Sequence, residues 1–167
     1  METRKITQIG VLVALAMVLS YVESLFPAFV AVPGVRIGLA NIAVVFALYR
    51  IGFKEALGIS LFRVVLSALL FGSLLSMAYS AAGAVLSLVM MALIKRTKLF
   101  GTVAVSVVGG VSHNLGQIAV ACLILQTRAI AYYIPVLILS GVAAGVVIGI
   151  ISAVVIARLD WEVENER

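Results

Sequence analysis

The sequence predicts an all-α integral membrane protein, a single bundle of six transmembrane helices with both termini in the cytoplasm. Three observations predict it. The 167 residues are 64% hydrophobic and only 11% charged, against about half and about one-quarter in a soluble domain. A water-soluble fold of this size has no interior large enough for that much apolar surface. The apolar residues fall in runs suited to a bilayer core of roughly 30 Å. These runs are too long for barrel strands and lack sustained alternation, so helices are the spanning form. Finally, the basic residues cluster at breaks between runs, as loops retained in the cytoplasm do. Together these features exclude a soluble enzyme, a DNA-binding module and a disordered regulator, and they explain the net charge of +5 without a nucleic-acid partner.

The first span covers residues 6–26. Arg4 and Lys5 before it imitate a signal peptide, but the apolar stretch is long for a signal core and further membrane segments follow, so it reads as a retained helix. The second span, 37–49, ends at Arg50 and would rise only about 20 Å, short of the core. Before it, Pro27-Ala-Phe-Val-Ala-Val-Pro33-Gly34 is apolar but broken by prolines and a glycine. Residues 27–36 therefore read as an outer loop dipping toward the membrane. Backbone at that depth must be covered by protein or line a cavity; a lid over a ligand site and a plain packed connection both satisfy this. The third, fourth, fifth and sixth spans cover 55–72, 74–94, 99–125 and 130–157. The breaks are Arg50-Ile-Gly-Phe-Lys54, Gly72-Ser73, Lys95-Arg96-Thr97-Lys98 and Gln126-Thr127-Arg128. Residues 1–159 thus form one domain, and 160–167 a short polar cytoplasmic tail.

With the N-terminus inside, nine of the twelve basic residues fall inside: Arg4, Lys5, Arg50, Lys54, Lys95, Arg96, Lys98, Arg158 and Arg167. Arg36 and Arg128 fall outside, and Arg63 lies within a span. Gly141, Gly145 and Gly149 recur every four residues on the sixth helix, a smooth groove where another helix can approach closely. Cys122, the single cysteine, sits in an apolar run and reads as a small buried hydrophobe.

The polar minority is the informative part. Polar side chains inside a membrane are costly and face a bundle interior or a cavity. Glu23 falls in the outer part of the first helix and Asn41 near the outer start of the second. Ser76, Tyr79 and Ser80 lie in the outer part of the fourth, and Ser112, His113, Asn114 and Gln117 in the outer half of the fifth. Tyr132 and Tyr133 open the sixth. Polar groups from five helices therefore collect at one level, as a binding site open to the outside would. Arg63, near the middle of the third helix, needs a partner or water. Glu23 is the nearest acid by depth, either as a structural ion pair or as a co-ligand beside an Arg that meets an anionic group. His113 and Gln117 are one turn apart on one face, with Asn114 beside them, a set able to fix a small polar ligand. Metal binding is not expected: there is no second His, no thiolate pair and no nearby Asp. No P-loop and no nucleophile elbow occurs, and the single Asp is Asp160. An Asp-rich Mg²⁺–diphosphate site is therefore absent, no cofactor is expected, and intrinsic catalysis is not predicted.

At these residues the chain resembles a known family. Pro33-Gly-Val-Arg36-Ile-Gly38-Leu-Ala-Asn41 before a short helix, Arg63 in the third helix, Tyr79-Ser-Ala-Ala-Gly83 in the fourth and His113-Asn114-Leu-Gly-Gln117 in the fifth look like the Gx transporter family. That family is widely labelled heptaprenyl diphosphate synthase component I. The resemblance covers roughly residues 5–158. The family is in turn similar to the substrate-binding S components of energy-coupling factor (ECF) vitamin transporters. This likeness implies an S-component-like bundle with an outward-facing site and a first loop acting as a lid, in the bacterial inner membrane. It also implies a membrane coupling subunit and two ATPases as partners. S components often carry an Ala-x-x-x-Ala face on the first helix; the nearest match here is Gly10-Val-Leu-Val-Ala14, and Val18 breaks its continuation.

The leading expectation is a substrate-binding subunit of an ECF-like transporter, capturing a small polar or anionic molecule through Glu23, Arg36, Asn41, Arg63, Tyr79, His113, Asn114 and Gln117, with Gly10 and Ala14 toward a partner. The competing expectation follows the family label: a non-catalytic partner of a soluble prenyl diphosphate synthase, tethering it to the membrane or handling its lipid product. A structural subunit without ligand is the third.

Overall fold

The computed structural model describes residues 2–25, 38–127 and 129–165. Six α-helices follow one another: α1 (Glu2–Leu25), α2 (Asn41–Arg50), α3 (Phe53–Phe71), α4 (Leu74–Thr97), α5 (Thr102–Leu125) and α6 (Ile134–Asn165), the last preceded by a 3-10 turn at Ala129–Tyr133. There is no strand among the described residues. The all-helical expectation holds, with helices at the places the apolar runs give.

Four stretches are long and apolar enough to cross a bilayer: Lys5–Leu25, Leu74–Thr97, Thr102–Leu125 and Ile130–Leu159. The other two helices are not among these four; α2 is short, as its sequence predicts, and α3 carries charge. α2 has 10 residues, a rise of about 15 Å, and starts later than the expected residue 37. α3 has the length, with 19 residues, but carries Lys54, Glu55 and Arg63. The α6 backbone continues helical to Asn165, into the polar segment that begins at Asp160. Asp160-Trp-Glu-Val-Glu-Asn165 contains neither Gly nor Pro to stop a helix. The loop expected at 27–36 lies outside the described residues.

The helix ends have local causes. Ser73 and Ser76 form a reciprocal capping box at the start of α4, Ser76 N–H donating to Ser73 Oγ at 3.1 Å and Ser73 N–H to Ser76 Oγ at 3.0 Å. Lys98 ends α4 in the left-handed region, with φ 57°.

α2, though short, is the most enclosed element. Ala43, Val44, Val45, Ala47 and Leu48 are all buried and join Ala16 of α1, Ala56 and Ile59 of α3 and Ile148 of α6 in one apolar core. α5 packs along its length between α4 and α6. The predicted glycine groove is used here. A Cβ on Gly145 would lie 2.5 Å from Val107 Cα and one on Gly149 2.7 Å from Val103 Cα, while Gly110 and Gly141 meet backbone to backbone. Without side chains at these positions the two helices run at van der Waals contact, the arrangement that association in lipid favours.

Two polar ties gather helix ends. Lys5 of α1 is ion-paired with Glu55 of α3. Lys95 of α4 donates to the Leu48 carbonyl of α2 at 2.6 Å and sits 4.7 Å above the Tyr49 ring. Leu48 lies in the last turn of α2, where carbonyls lack intrahelical donors and a cation is favourable. The start of α1, end of α2, start of α3 and end of α4 are thereby held at one end of the bundle, with Arg50, Lys54, Arg96 and Lys98 at the same breaks. The antiparallel contact of Gly149 with Val103 brings the late part of α6 to that end too.

Substituting Gly145→Ala places a methyl group against the α5 backbone, which cannot give as a flexible side chain would. The expected cost is about 1–3 kcal/mol, read as a lower thermal-unfolding midpoint in detergent. Gly10→Ala, where a Cβ meets nothing within 4 Å, should not lower the midpoint, since Ala favours a helix over Gly.

Candidate functional site

Beyond the apolar core, away from the basic end, polar side chains converge inside the bundle. Glu23 of α1, Asn41 of α2, Arg63 of α3, Ser80 of α4 and His113, Asn114 and Gln117 of α5 line a cavity of about 50 Å³, closed by Gly38, Gly110, Gly141, Ala144 and Ile148. Seven residues singled out in the sequence, Ser80 among them, are thus brought to one place from five helices. Gly38 joins them.

Each is positioned by a local cause. Gly38 has φ 76°, a conformation that side-chain-bearing residues avoid, and its N–H donates to Glu23 Oε1 at 2.6 Å. Its carbonyl accepts from Asn41 N–H at 2.8 Å, so the turn that starts α2 is pinned to α1 through a charge-assisted bond. On α5, His113 and Gln117 face α4 at Gly83. A Cβ there would meet the His113 carbonyl oxygen at 2.7 Å, Gln117 Cγ at 2.9 Å and His113 Cε1 at 3.1 Å. Gly83 makes room for both side chains. Asn114 turns toward α6, where its Nδ2 donates to the Leu137 carbonyl at 2.7 Å and to Ser140 Oγ at 3.3 Å. This side chain therefore ties two helices together as well as lining the cavity.

Tyr79 is placed beside the polar cavity, not in it. With Ser76, Ser80, Gln117, Ile118, Ala121, Leu125, Ile130, Tyr133 and Leu137 it lines a second cavity of about 460 Å³. Ser80 and Gln117 line both. Sequence reasoning missed this chamber because isoleucine, leucine and alanine carry no sign of whether they face lipid, core or a cavity. Ser112, singled out for its depth, is buried and lines neither. Arg36 lies outside the described residues. Gly10 and Ala14 are on the exposed side of α1, with Val11 and Val18. Among the described residues no group of acidic, His or Cys side chains is arranged to hold a metal. The arrangement offers a guanidinium, an imidazole, amides and a carboxylate in low-dielectric surroundings. It can hold an anionic or hydrogen-bonding group.

Asn114→Ala should destabilise the protein by about 1 kcal/mol, within the range for interhelical hydrogen bonds in membranes. Ser140→Ala should cost less, because the stronger bond to the Leu137 carbonyl persists. Thermal unfolding of the two variants checks the ranking.

The family model for heptaprenyl diphosphate synthase component I matches residues 12–155, from α1 through most of α6 and across every residue of both cavities. Among curated proteins and among solved structures, none matches the chain, so the likeness to ECF substrate-binding subunits has no support from them. The match covers most of the sequence, and the chain belongs to the heptaprenyl diphosphate synthase component I family.

Proposed function

We propose that this chain is the non-catalytic membrane component of a heptaprenyl diphosphate synthase and works beside a separate soluble chain that carries the chemistry. Family membership is the observation that carries this reading. The composition supports it: Asp160 is the single Asp, so the chain has no paired aspartates with which to hold Mg²⁺ and diphosphate. The four long apolar helices supply a membrane anchor, and the polar cavity supplies a place to hold one end of a small molecule. In this role Arg63 and His113 meet an anionic or hydrogen-bonding group. Glu23, Asn41, Asn114 and Gln117 fix its orientation, and Arg36, two residues before Gly38, adds a second cation.

The proposed topology has six crossings with both ends in the cytoplasm of a bacterial cell, α2 and α3 completing the four longer spans. The gathering of Lys5, Arg50, Lys54, Lys95, Arg96 and Lys98 at one end of the bundle supports it. α2 is too short to cross alone; it is enclosed by α1, α3 and α6, which lets a short helix lie within the membrane without exposing its ends to lipid.

A second reading is the substrate-binding subunit of an ECF-like transporter, with a membrane coupling subunit and two ATPases. The convergence of polar side chains at the end away from the basic residues favours it, and the exposed face at Gly10 and Ala14 would meet the coupling subunit.

Purification of the tagged chain in mild detergent, followed by mass spectrometry of co-purified chains, separates the two. A soluble Asp-rich synthase chain is the expected partner; a coupling subunit with ATPases in its place would establish the transporter. In the same preparation Arg63→Ala should lower retention of the co-purified small molecule by about tenfold, equivalent to ~1.4 kcal/mol. Undiminished retention would make Arg63 structural.

A further inference from the structure

The polar cavity has a volume of about 50 Å³, room for on the order of a few water molecules and too little for an organic ligand. The neighbouring chamber has about 460 Å³, within the roughly 300–1,000 Å³ range of small-molecule sites. Its walls are mainly apolar, from Ile118, Ala121 and Leu137, whereas the smaller cavity is polar. The two adjoin at Ser80 and Gln117. Tyr79 lines the larger cavity, and its hydroxyl is buried with no hydrogen-bond partner among the described residues. A buried donor left unsatisfied is costly, so the hydroxyl of a residue lining a ligand-sized cavity points to a ligand atom that completes it.

We propose that the two cavities are one bipartite site. The chamber between α4, α5 and the start of α6 takes the hydrocarbon body of an amphipathic molecule, whose hydrogen-bonding end passes Tyr79, Ser80 and Gln117 toward Arg63 and His113. This rests on the ligand-holding role proposed above. It goes further by giving the ligand its chemical class and by placing most of its contact area in the chamber, outside the polar cluster. Tyr79 donates its hydroxyl proton to the first oxygen of the polar end; Ser80 and Gln117 provide the next donors inward. Affinity is set by apolar burial in the chamber, orientation by the polar end.

The test uses the full chain in lipid nanodiscs and a farnesyl diphosphate analogue carrying a diazirine at its apolar end. Peptide mapping after photolysis should place the label on residues 76–80 and 117–125. Ala121→Leu, which adds bulk inside the chamber, should lower that labelling about tenfold. Val18→Leu, on the exposed face of α1, should leave it unchanged. Tyr79→Phe, which keeps the ring and removes the donor, should lower it severalfold and guards against a misfolded Ala121 variant. Label confined to other helices, no label at all, or label indifferent to both Ala121→Leu and Tyr79→Phe overturns the bipartite site. A straight-chain alcohol bearing the same diazirine distinguishes sources. Equal labelling of the same peptides supports the chamber as an amphiphile site while removing support for an isoprenoid ligand. Chamber labelling by the farnesyl probe in a chain that retains no synthase partner likewise supports the site and overturns the synthase reading alone.

Discussion

At Gly110 and Gly141, α5 and α6 meet backbone against backbone, and at Gly83 and Gly116 α4 approaches α5 in the same way from another side. Lipid offers helices no hydrophobic reward for leaving it, so association depends on dispersion contact and on bonds between helices. Small residues let that contact become continuous. Much else follows from this closeness. Asn114 reaches the Leu137 carbonyl only because the helices are near enough for a short side chain to bridge them. His113 and Gln117 turn into the interior beside Gly83, where a larger residue would push them out.

The second constraint is the treatment of charge. At one end, Lys5 with Glu55 and Lys95 with the Leu48 carbonyl gather helix ends through surface-directed cations. In the interior, Glu23 accepts from the backbone of Gly38, and Arg63 lines the same cavity. A carboxylate spent on fixing a turn is a structural part of the site: it sets where α2 begins and hence where Asn41 stands. The polar cluster is therefore both a set of ligand contacts in the proposed role and the reason that the short α2 has a defined position.

The proposed function draws on two independent sources. Family membership names a synthase component, and the geometry describes a small polar cavity beside a larger, mainly apolar one that shares Ser80 and Gln117 with it. A protein that handles an isoprenoid chain needs both kinds of surface side by side, which a purely polar vitamin site would not. The same geometry serves the transporter reading if the transported molecule is amphipathic, which is why the partner chain decides between the two more sharply than the ligand does.

The sequence by itself determined the helical class and the helix order and pointed to a membrane, because composition and run length are properties of one segment at a time. It placed Glu23, Asn41, Ser80, His113, Asn114 and Gln117 at one level along the helix axes and Arg63 near mid-helix, and these seven line one cavity. Depth, however, says nothing about rotation around an axis. Tyr79 shares that level yet faces the chamber, and Ser112 shares it yet is packed away. The ten-residue length of α2, the continuation of α6 to Asn165 and the chamber itself were decided only by tertiary structure. Azimuth and the void between three helices depend on how glycines in different segments pair, and no single segment encodes that pairing.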